Sequence, residues 1–548
     1  MPVTPNTPSG RTSRRWRRRL LVRTTAGLGA LSCILTGLAL TSPIVEAAPT
    51  AGAAVQAKDS AAKGTDPTVQ AAVGKLHGLR LKQLTAMPSG RTSYRTYDDY
   101  NSEMEALAAA NPDFVEVKTA PFRSIEGREI KYLEITNDVS AQDGKPVYFA
   151  MASIHGLETP SGEEAVDFAY DVVQQAKTNP AVRALFDHVR LIDMPLVNPD
   201  GLVHQRRYNC AGATPPATCP TSNALGVDLN RNYPYGWGSN IGVTFGHRGS
   251  GPGSEPEVKN TMDIVEHHQV VTLTTGHTNE HAIFFPPLDV AAGDTPDLNN
   301  GYADLAQALG EATDRGYTNI KQSALDYETS GETVDWSYYA TRGLAFTIEH
   351  SGGPGTGCGR VTDNFLNCTA ADYTGTPGPT STPAQTAAYG GHPARNMFWL
   401  SLVYASIARG HSVIRATAPP GSTVSIEKHF DLFTAPILRD TTPATTDPPQ
   451  AVPTDLESTL VVPRSGQFTA AVNPSLRPTP AFRADGEHTG PNGFLQESWT
   501  LTCQTPNSGT HQLDVTIDKG QQVDLPPCTQ WPTASDGQQV NRVLATPQ

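Results

Sequence analysis

The chain has 548 residues, of which 38% are hydrophobic and 17% charged, with 48 Gly and 45 Pro. That length exceeds one ordinary domain and predicts two or three, while the Gly and Pro content predicts many loops and an irregular linker. A formal net charge of −13 argues against a nucleic-acid partner and against an anionic membrane bound through a basic surface.

Residues 1–47 read as a secretory signal peptide. Seven Arg, from Arg11 to Arg23, precede an apolar run over 24–44, and Val45-Glu46-Ala47 is a small-x-small cleavage site. The alternative is a membrane anchor, but Gly27, Gly29, Gly37 and Pro43 break the run. Ser13-Arg14-Arg15 fits twin-arginine export, although an Arg pair says little in so Arg-rich a segment. Since the only acid there is Glu46, cleavage leaves the mature chain more acidic still. Cys33 departs with the signal. The remaining cysteines form three sequence-local pairs, Cys210–Cys219, Cys358–Cys368 and Cys503–Cys528. They are expected to be disulfides of an exported protein, and no CxxC suggests a Cys-bound metal.

Residues 48–91 are rich in Ala, Lys, Gly and Gln with little periodicity, as in a linker or short propeptide. A helix is expected over 97–110, ended by Asn111-Pro112. Strands are expected over 114–117 and 130–135 around the Glu126-Gly127 turn, then over 147–151 as a buried run. A helix over 161–177 follows, with Ser161 as N-cap and Glu164 completing a capping box. Alternation continues with strands at 189–194, 270–275 and 345–348 and helices at 255–268, 298–315 and 394–409. This predicts an α/β domain over 92–410, with a twisted sheet flanked by helices on both faces. Beyond 410 the helical signal ends. Short strands between Pro, Gly and Thr turns predict a small all-β sandwich over 411–548.

The candidate site begins at His155-Gly156-Leu157-Glu158, just past the strand ending at 151. His and Glu three residues apart can turn to one point, although about one such pair arises by chance in a chain like this. A catalytic zinc with an open position needs a third protein ligand. His277 follows an apolar strand, while His247, His267, His268 and His281 compete with it. Glu349 ends another apolar strand and is a candidate general base. Ligands in open α/β sheets collect at the C-terminal ends of strands, where His155, His277 and Glu349 are all expected.

The order of further blocks resembles the zinc carboxypeptidases of the carboxypeptidase A type. After His155-Gly-Leu-Glu158 come Asn198-Pro199-Asp200-Gly201, Arg207 and Asp228-Leu229-Asn230-Arg231-Asn232. Then follow Gly253-Ser254-Glu255-Pro256-Glu257, His277, Tyr327, Asp335-Trp336 and Phe346-Thr347-Ile348-Glu349, so that the resemblance covers about 92–410. It implies a mixed sheet and one zinc ion per chain, held by His155, Glu158 and His277. It implies Glu349 as general base and Arg207 beside the developing oxyanion, with Arg206 the alternative. Asn230 and Arg231 match the pair that holds the substrate's terminal carboxylate, which makes such an enzyme an exopeptidase, and Tyr327 matches the tyrosine that closes over the bound end. Val334 matches the floor of the side-chain pocket and suggests hydrophobic or aromatic C-terminal residues, whereas Glu332 nearby would favour Lys or Arg if it pointed inward.

The chain also departs from the pattern. Leu157 stands where pancreatic-type relatives carry Arg, and Asn279 where they often carry Tyr. The Cys210–Cys219 segment is a loop insertion between Arg207 and the Asn230-Arg231 clamp, in a position to cover the cleft rim. The expected protein is a secreted, monomeric zinc metallocarboxypeptidase whose partners are peptide or protein C-termini, with no nucleic acid and no membrane anchor once the signal is removed. Two alternatives remain: a carboxypeptidase of cell-wall stem peptides, and a binding protein with a vestigial peptidase domain.

Overall fold

The computed structural model describes residues 66–210, 226–243, 245–287, 289, 294–479, 493–507, 509–534 and 542–544. The expected signal peptide and Cys219 lie outside them. Eight strands form one mixed sheet: β1 (Val115–Thr119), β2 (Lys131–Ile135), β3 (Val147–Ala152), β4 (Arg190–Met194), β5 (Val270–Thr278), β6 (Ala282–Phe285), β7 (Asn319–Gln322) and β8 (Leu344–His350). Their order is β1-β2-β4-β3-β5-β8-β6-β7. The central strands β4, β3, β5 and β8 are parallel, β1 runs with them, and β2, β6 and β7 run against them. Every residue of β3 is buried, which a strand reaches only when both faces of its sheet are covered. The helices Thr159–Thr178, Thr333–Thr341 and Arg395–Ala405 pack on these central strands. The parallel register sends the C-terminal ends of β3, β5 and β8 to the same edge.

Three expected elements differ in detail. The helix expected at Ser161 starts at Thr159, with Pro160 in its first turn and Glu158 at the N-cap. Ser161 does not cap it. Its hydroxyl donates to the Glu158 carbonyl (2.7 Å) and accepts from Ser153 N (3.2 Å), tying the helix to the end of β3. The helix expected over 298–315 is an irregular turn, Leu298–Tyr302, followed by Ala303–Ala312, because Gly301 adopts φ +115° and breaks the ladder. The weakly patterned stretch 48–91 contains a helix, Pro67–Leu79, capped by Asp66. Val69, Ala72, Leu76 and Leu79 form its buried stripe against the helix Arg395–Ala405.

Eight of the C-terminal strands make two larger sheets. Ala451–Val461, Thr423–Phe433, Trp499–Thr505, Gly509–Thr516 and Arg542–Leu544 form one, and Gln467–Val472, Ser412–Thr417 and Gln522–Asp524 the other. Ile414 and Phe468 of the second sheet share a core with Val424, Leu501 and Val515 of the first, so the arrangement is a sandwich. The Cys503–Cys528 disulfide lies in that core, and Cys358–Cys368 is also formed. The sandwich and the α/β part form one compact unit, joined by bonds such as Arg342 Nη1 to Asp518 Oδ1 (2.7 Å) and Asn473 N to Gln269 Oε1 (2.7 Å).

Lys428 is an unusual member of this seam. It is buried, donates to the Pro474 carbonyl (3.1 Å) and sits over the Trp499 ring. Burial pushes its ammonium down to about 7, with Glu497 opposing. The unfolded chain therefore binds the extra proton between about 7 and the ordinary 10.5, and stability rises with pH across that window. The full penalty applies below pH 7. Lys428→Met is expected to stabilise the protein by about 1–3 kcal/mol near pH 6 and by less near pH 9, read from urea denaturation midpoints.

Candidate active site

Gly156 lies between His155 and Glu158 because a Cβ there would sit 2.1 Å from the Gly201 carbonyl carbon. The chain thus turns tightly after β3 and brings both side chains to one point. Glu158 occupies the helix N-cap but makes no capping bond. Its carboxylate reaches His155 Nδ1 through Oε1 (3.0 Å) and His277 Nδ1 through Oε2 (3.1 Å). The two imidazoles approach to 3.1 Å between their Nδ1 atoms. One donor atom from each of the three buried residues lies within 4.8 Å of the others. Two imidazoles and a carboxylate converging in this way suit zinc, and the set leaves a fourth position for water or substrate.

Asp228 holds the cluster from behind. Its Oδ1 lies 3.0 Å from His155 Nε2 and accepts from Asn230 N (3.1 Å), while Oδ2 accepts from Arg207 Nε (2.9 Å). Burial opposes its charge, yet Arg207 and His155 hold its carboxyl well below the usual range. Burial likewise opposes Glu158, and His155 and His277 hold it low. A carboxylate on the distal nitrogen of a metal-binding imidazole fixes the tautomer and raises its basicity. Asp228 stands in the Asp228-Leu229-Asn230-Arg231-Asn232 block, where nothing in the local pattern assigns it this part.

Asp228 also caps the short turn Leu229–Arg231 that presents the clamp candidates. Asn230 Oδ1 accepts from Thr333 N (3.1 Å) and Oγ1 (2.9 Å), which fixes the amide and leaves Nδ2 as the donor it can offer a ligand. Arg231 Nη1 pairs with Glu332 Oε1 at 2.8 Å, and Nη2 lies 3.4 Å from the Tyr327 hydroxyl. Tyr327 is 52% exposed, as a side chain that can move needs to be. Arg207 Nη1 reaches Glu158 Oε1 at 3.3 Å and lines the cleft, which Arg206 does not.

Glu349 completes the cleft. It pairs across the sheet with His277 of β5 on one side and Ala282 of β6 on the other. Its Oε2 is enclosed and has no hydrogen-bond partner among the described residues. Burial pushes its carboxyl up to about 8; His277 pulls it down and Glu158 adds to the rise.

His155, Glu158, Arg207, Asn230, Arg231, His277, Tyr327 and Glu349 thus share one cleft of about 130 Å³. Val334 does not line it. The helical turn directs Val334 into the main core, fully buried, and places Glu332 at the wall instead. The competing His281 faces Asp372. Asp228→Asn is expected to weaken zinc binding about 10- to 100-fold, measured by chelator competition, in a protein that still folds.

Residues 100–365 match the zinc carboxypeptidase family model. Carboxypeptidase A2 of Rattus norvegicus is 28% identical over 266 residues, covering 47% of this chain and 62% of the relative. A zinc carboxypeptidase of Saccharothrix mutabilis subsp. capreolus is 26% identical over 274 residues, 48% of this chain and 63% of its own. The chain thus spans less than two thirds of these relatives. The structure of carboxypeptidase A from Helicoverpa armigera aligns over 62% of this chain and 80% of its own, at 19% identity and a TM-score of 0.46. Over residues 100–365, the chain is thus similar to the zinc carboxypeptidase family.

Proposed function

We propose that this protein is a secreted zinc metallocarboxypeptidase, with its catalytic domain over 92–410, that removes single amino acids from peptide C-termini. The observation that carries the reading is the Glu349 carboxylate, unpartnered at Oε2, facing the His155, Glu158 and His277 donors in a cleft that also holds Arg207 and Arg231. Held by those donors, a zinc ion supplies Lewis acidity toward the scissile carbonyl and toward water. Glu349 takes the proton of the attacking water and delivers it to the leaving amine nitrogen. A carboxyl raised by burial is suited to both roles near neutral pH. Arg207, fixed by Asp228, faces the negative charge that develops on the carbonyl oxygen. Asn230 and Arg231 bind the terminal carboxylate, with the guanidinium offering a planar fork. An internal peptide bond has no such group, so the clamp restricts cleavage to chain ends.

The cleft favours basic over hydrophobic C-terminal side chains. Glu280, Asp326 and Glu332 line it, Phe284 is the apolar contributor, and Val334 is withdrawn into the core. This replaces the hydrophobic preference that Val334 suggested. Nothing in the cleft favours stem peptides over ordinary ones, and a donor set with its base in place speaks against a vestigial domain. Export rests on the arginine-rich, apolar leader. No helix of the described residues is long and apolar enough to cross a membrane.

Blocked dipeptides ending in Arg, Lys, Phe or Leu test this reading, with and without a zinc chelator. We expect chelator-sensitive hydrolysis that is fastest for Arg and Lys. Glu349→Gln should lower kcat about 10²- to 10⁴-fold with zinc content unchanged. Arg231→Ala should mainly raise KM for free-acid substrates. Equal effects of Arg231→Ala on amidated peptides would contradict the clamp, and zinc-loaded protein that cleaves none of the four would overturn the function.

A further inference from the structure

Behind the cleft lies a second buried cluster to which the reaction above gives no part. Glu164, Tyr317, His350, Ser351 and Asp372 are essentially inaccessible, and His281 is 9% exposed. Asp372 is its hub. Oδ1 lies 3.0 Å from His281 Nε2, while Oδ2 accepts from Ser351 N (2.6 Å) and the Tyr317 hydroxyl (2.8 Å). On the far side, His350 Nδ1 lies 2.9 Å from Glu164 Oε2, and Ser351 Oγ donates to Glu164 Oε1 (3.4 Å).

The placement of these partners is informative. The three segments that deliver the metal-ligand candidates and the base also supply members: Glu164 lies on the helix that Glu158 caps, His281 follows His277, and His350 and Ser351 follow Glu349. His281 and Ser351 are moreover non-glycine residues in the left-handed region, at φ +55° and +45°. Such a conformation is strained and persists only where the surroundings over-determine it. Here one carboxylate restrains both, His281 by its ring and Ser351 by its backbone N–H. His281 ends the loop that carries the chain from His277 on β5 to Ala282 on β6, and Ser351 starts the turn that leaves β8. Glu349 lies between His277 and Ala282 in the sheet, so these two turns flank the residue whose carboxylate must be held in place.

A cation is the competing occupant, because Glu164, His350 and Asp372 each offer a donor atom within 4.8 Å of the others. The hydrogens argue against it. Asp372 Oδ2 already accepts from the backbone N–H of Ser351, and a cation on that oxygen would meet the amide hydrogen.

We propose that Asp372 is a positioning residue for the reaction: through His281 and Ser351 it fixes the two turns that hold Glu349 at its distance from His277. Its loss displaces the base rather than the substrate clamp. The inference rests on the carboxypeptidase reading, and its test uses the full chain loaded with zinc. In Asp372→Asn, kcat is expected to fall about 10- to 100-fold, with KM within about twofold of the parent and the zinc content unchanged. His281→Asn removes the imidazole while keeping a residue that tolerates the left-handed region. It should show the same split, and it carries the test if Asp372→Asn does not fold. The double variant should be little worse than either single one, as expected for residues acting as one unit. A folded, zinc-loaded variant with parental kcat would overturn the proposal, as would a loss that appears mainly in KM. A second metal ion per chain in the parent, absent from Asp372→Asn, would show a cation site instead. A parent that cleaves no peptide overturns the functional reading itself, whereas an active parent with an unaffected variant overturns this inference alone.

Discussion

Glu158 and Glu349 share one cleft with Arg207 and Arg231, Asp228 lies directly behind it against His155 and Arg207, and Arg231 is already paired with Glu332. Three enclosed carboxylates in so small a space repel one another, and each resolves the conflict differently. Asp228 remains charged because it holds Arg207 and His155. Glu158 remains charged because two imidazoles converge on it. Glu349 has no fixed cation, so burial raises its carboxyl. The division of roles follows from these environments: the two stabilised carboxylates build and support a cation site, and the unstabilised one is available to exchange a proton.

The sheet makes this arrangement possible. The parallel register of β3, β5 and β8 brings their ends to one edge, and His277 and Glu349 are direct cross-strand partners. Strand ends are rigid, yet they expose side chains to the loops beyond, which suits a site needing donors fixed within a fraction of an ångström. The cost falls on the connections. The turn after β3 tolerates no side chain at Gly156, and the turns around β8 need left-handed conformations at His281 and Ser351. The Asp372 network lies where that strain is concentrated, so the cleft and the cluster behind it are two sides of the same packing problem.

Residues whose roles are set locally were legible in the sequence. His155, His277 and Glu349 each follow an apolar run, so period and position placed them at strand ends before any fold was known. The resemblance added Arg207, Asn230, Arg231 and Tyr327, and these gather in the cleft. What escaped was set by distant partners. Asp228 meets a histidine 73 residues earlier in the chain, and no local pattern announces that. Ser161 looked like a cap, but Pro160 let the helix start sooner and Glu158 took the N-cap position. Val334 and Glu332 stand two residues apart, and only the start of the helix decides which faces the core. The helix Pro67–Leu79 was hidden because Ala and Gly dilute its apolar stripe.

The central claim is that His155, Glu158 and His277 hold a zinc ion beside Glu349. Anomalous diffraction at the zinc edge, from crystals of the zinc-loaded full chain, tests it most directly. The account predicts one strong peak about 2.0–2.2 Å from a nitrogen of each histidine and from a Glu158 oxygen. A chain that takes up no zinc, or a peak at Glu164, His350 and Asp372 with none at His155, would contradict it.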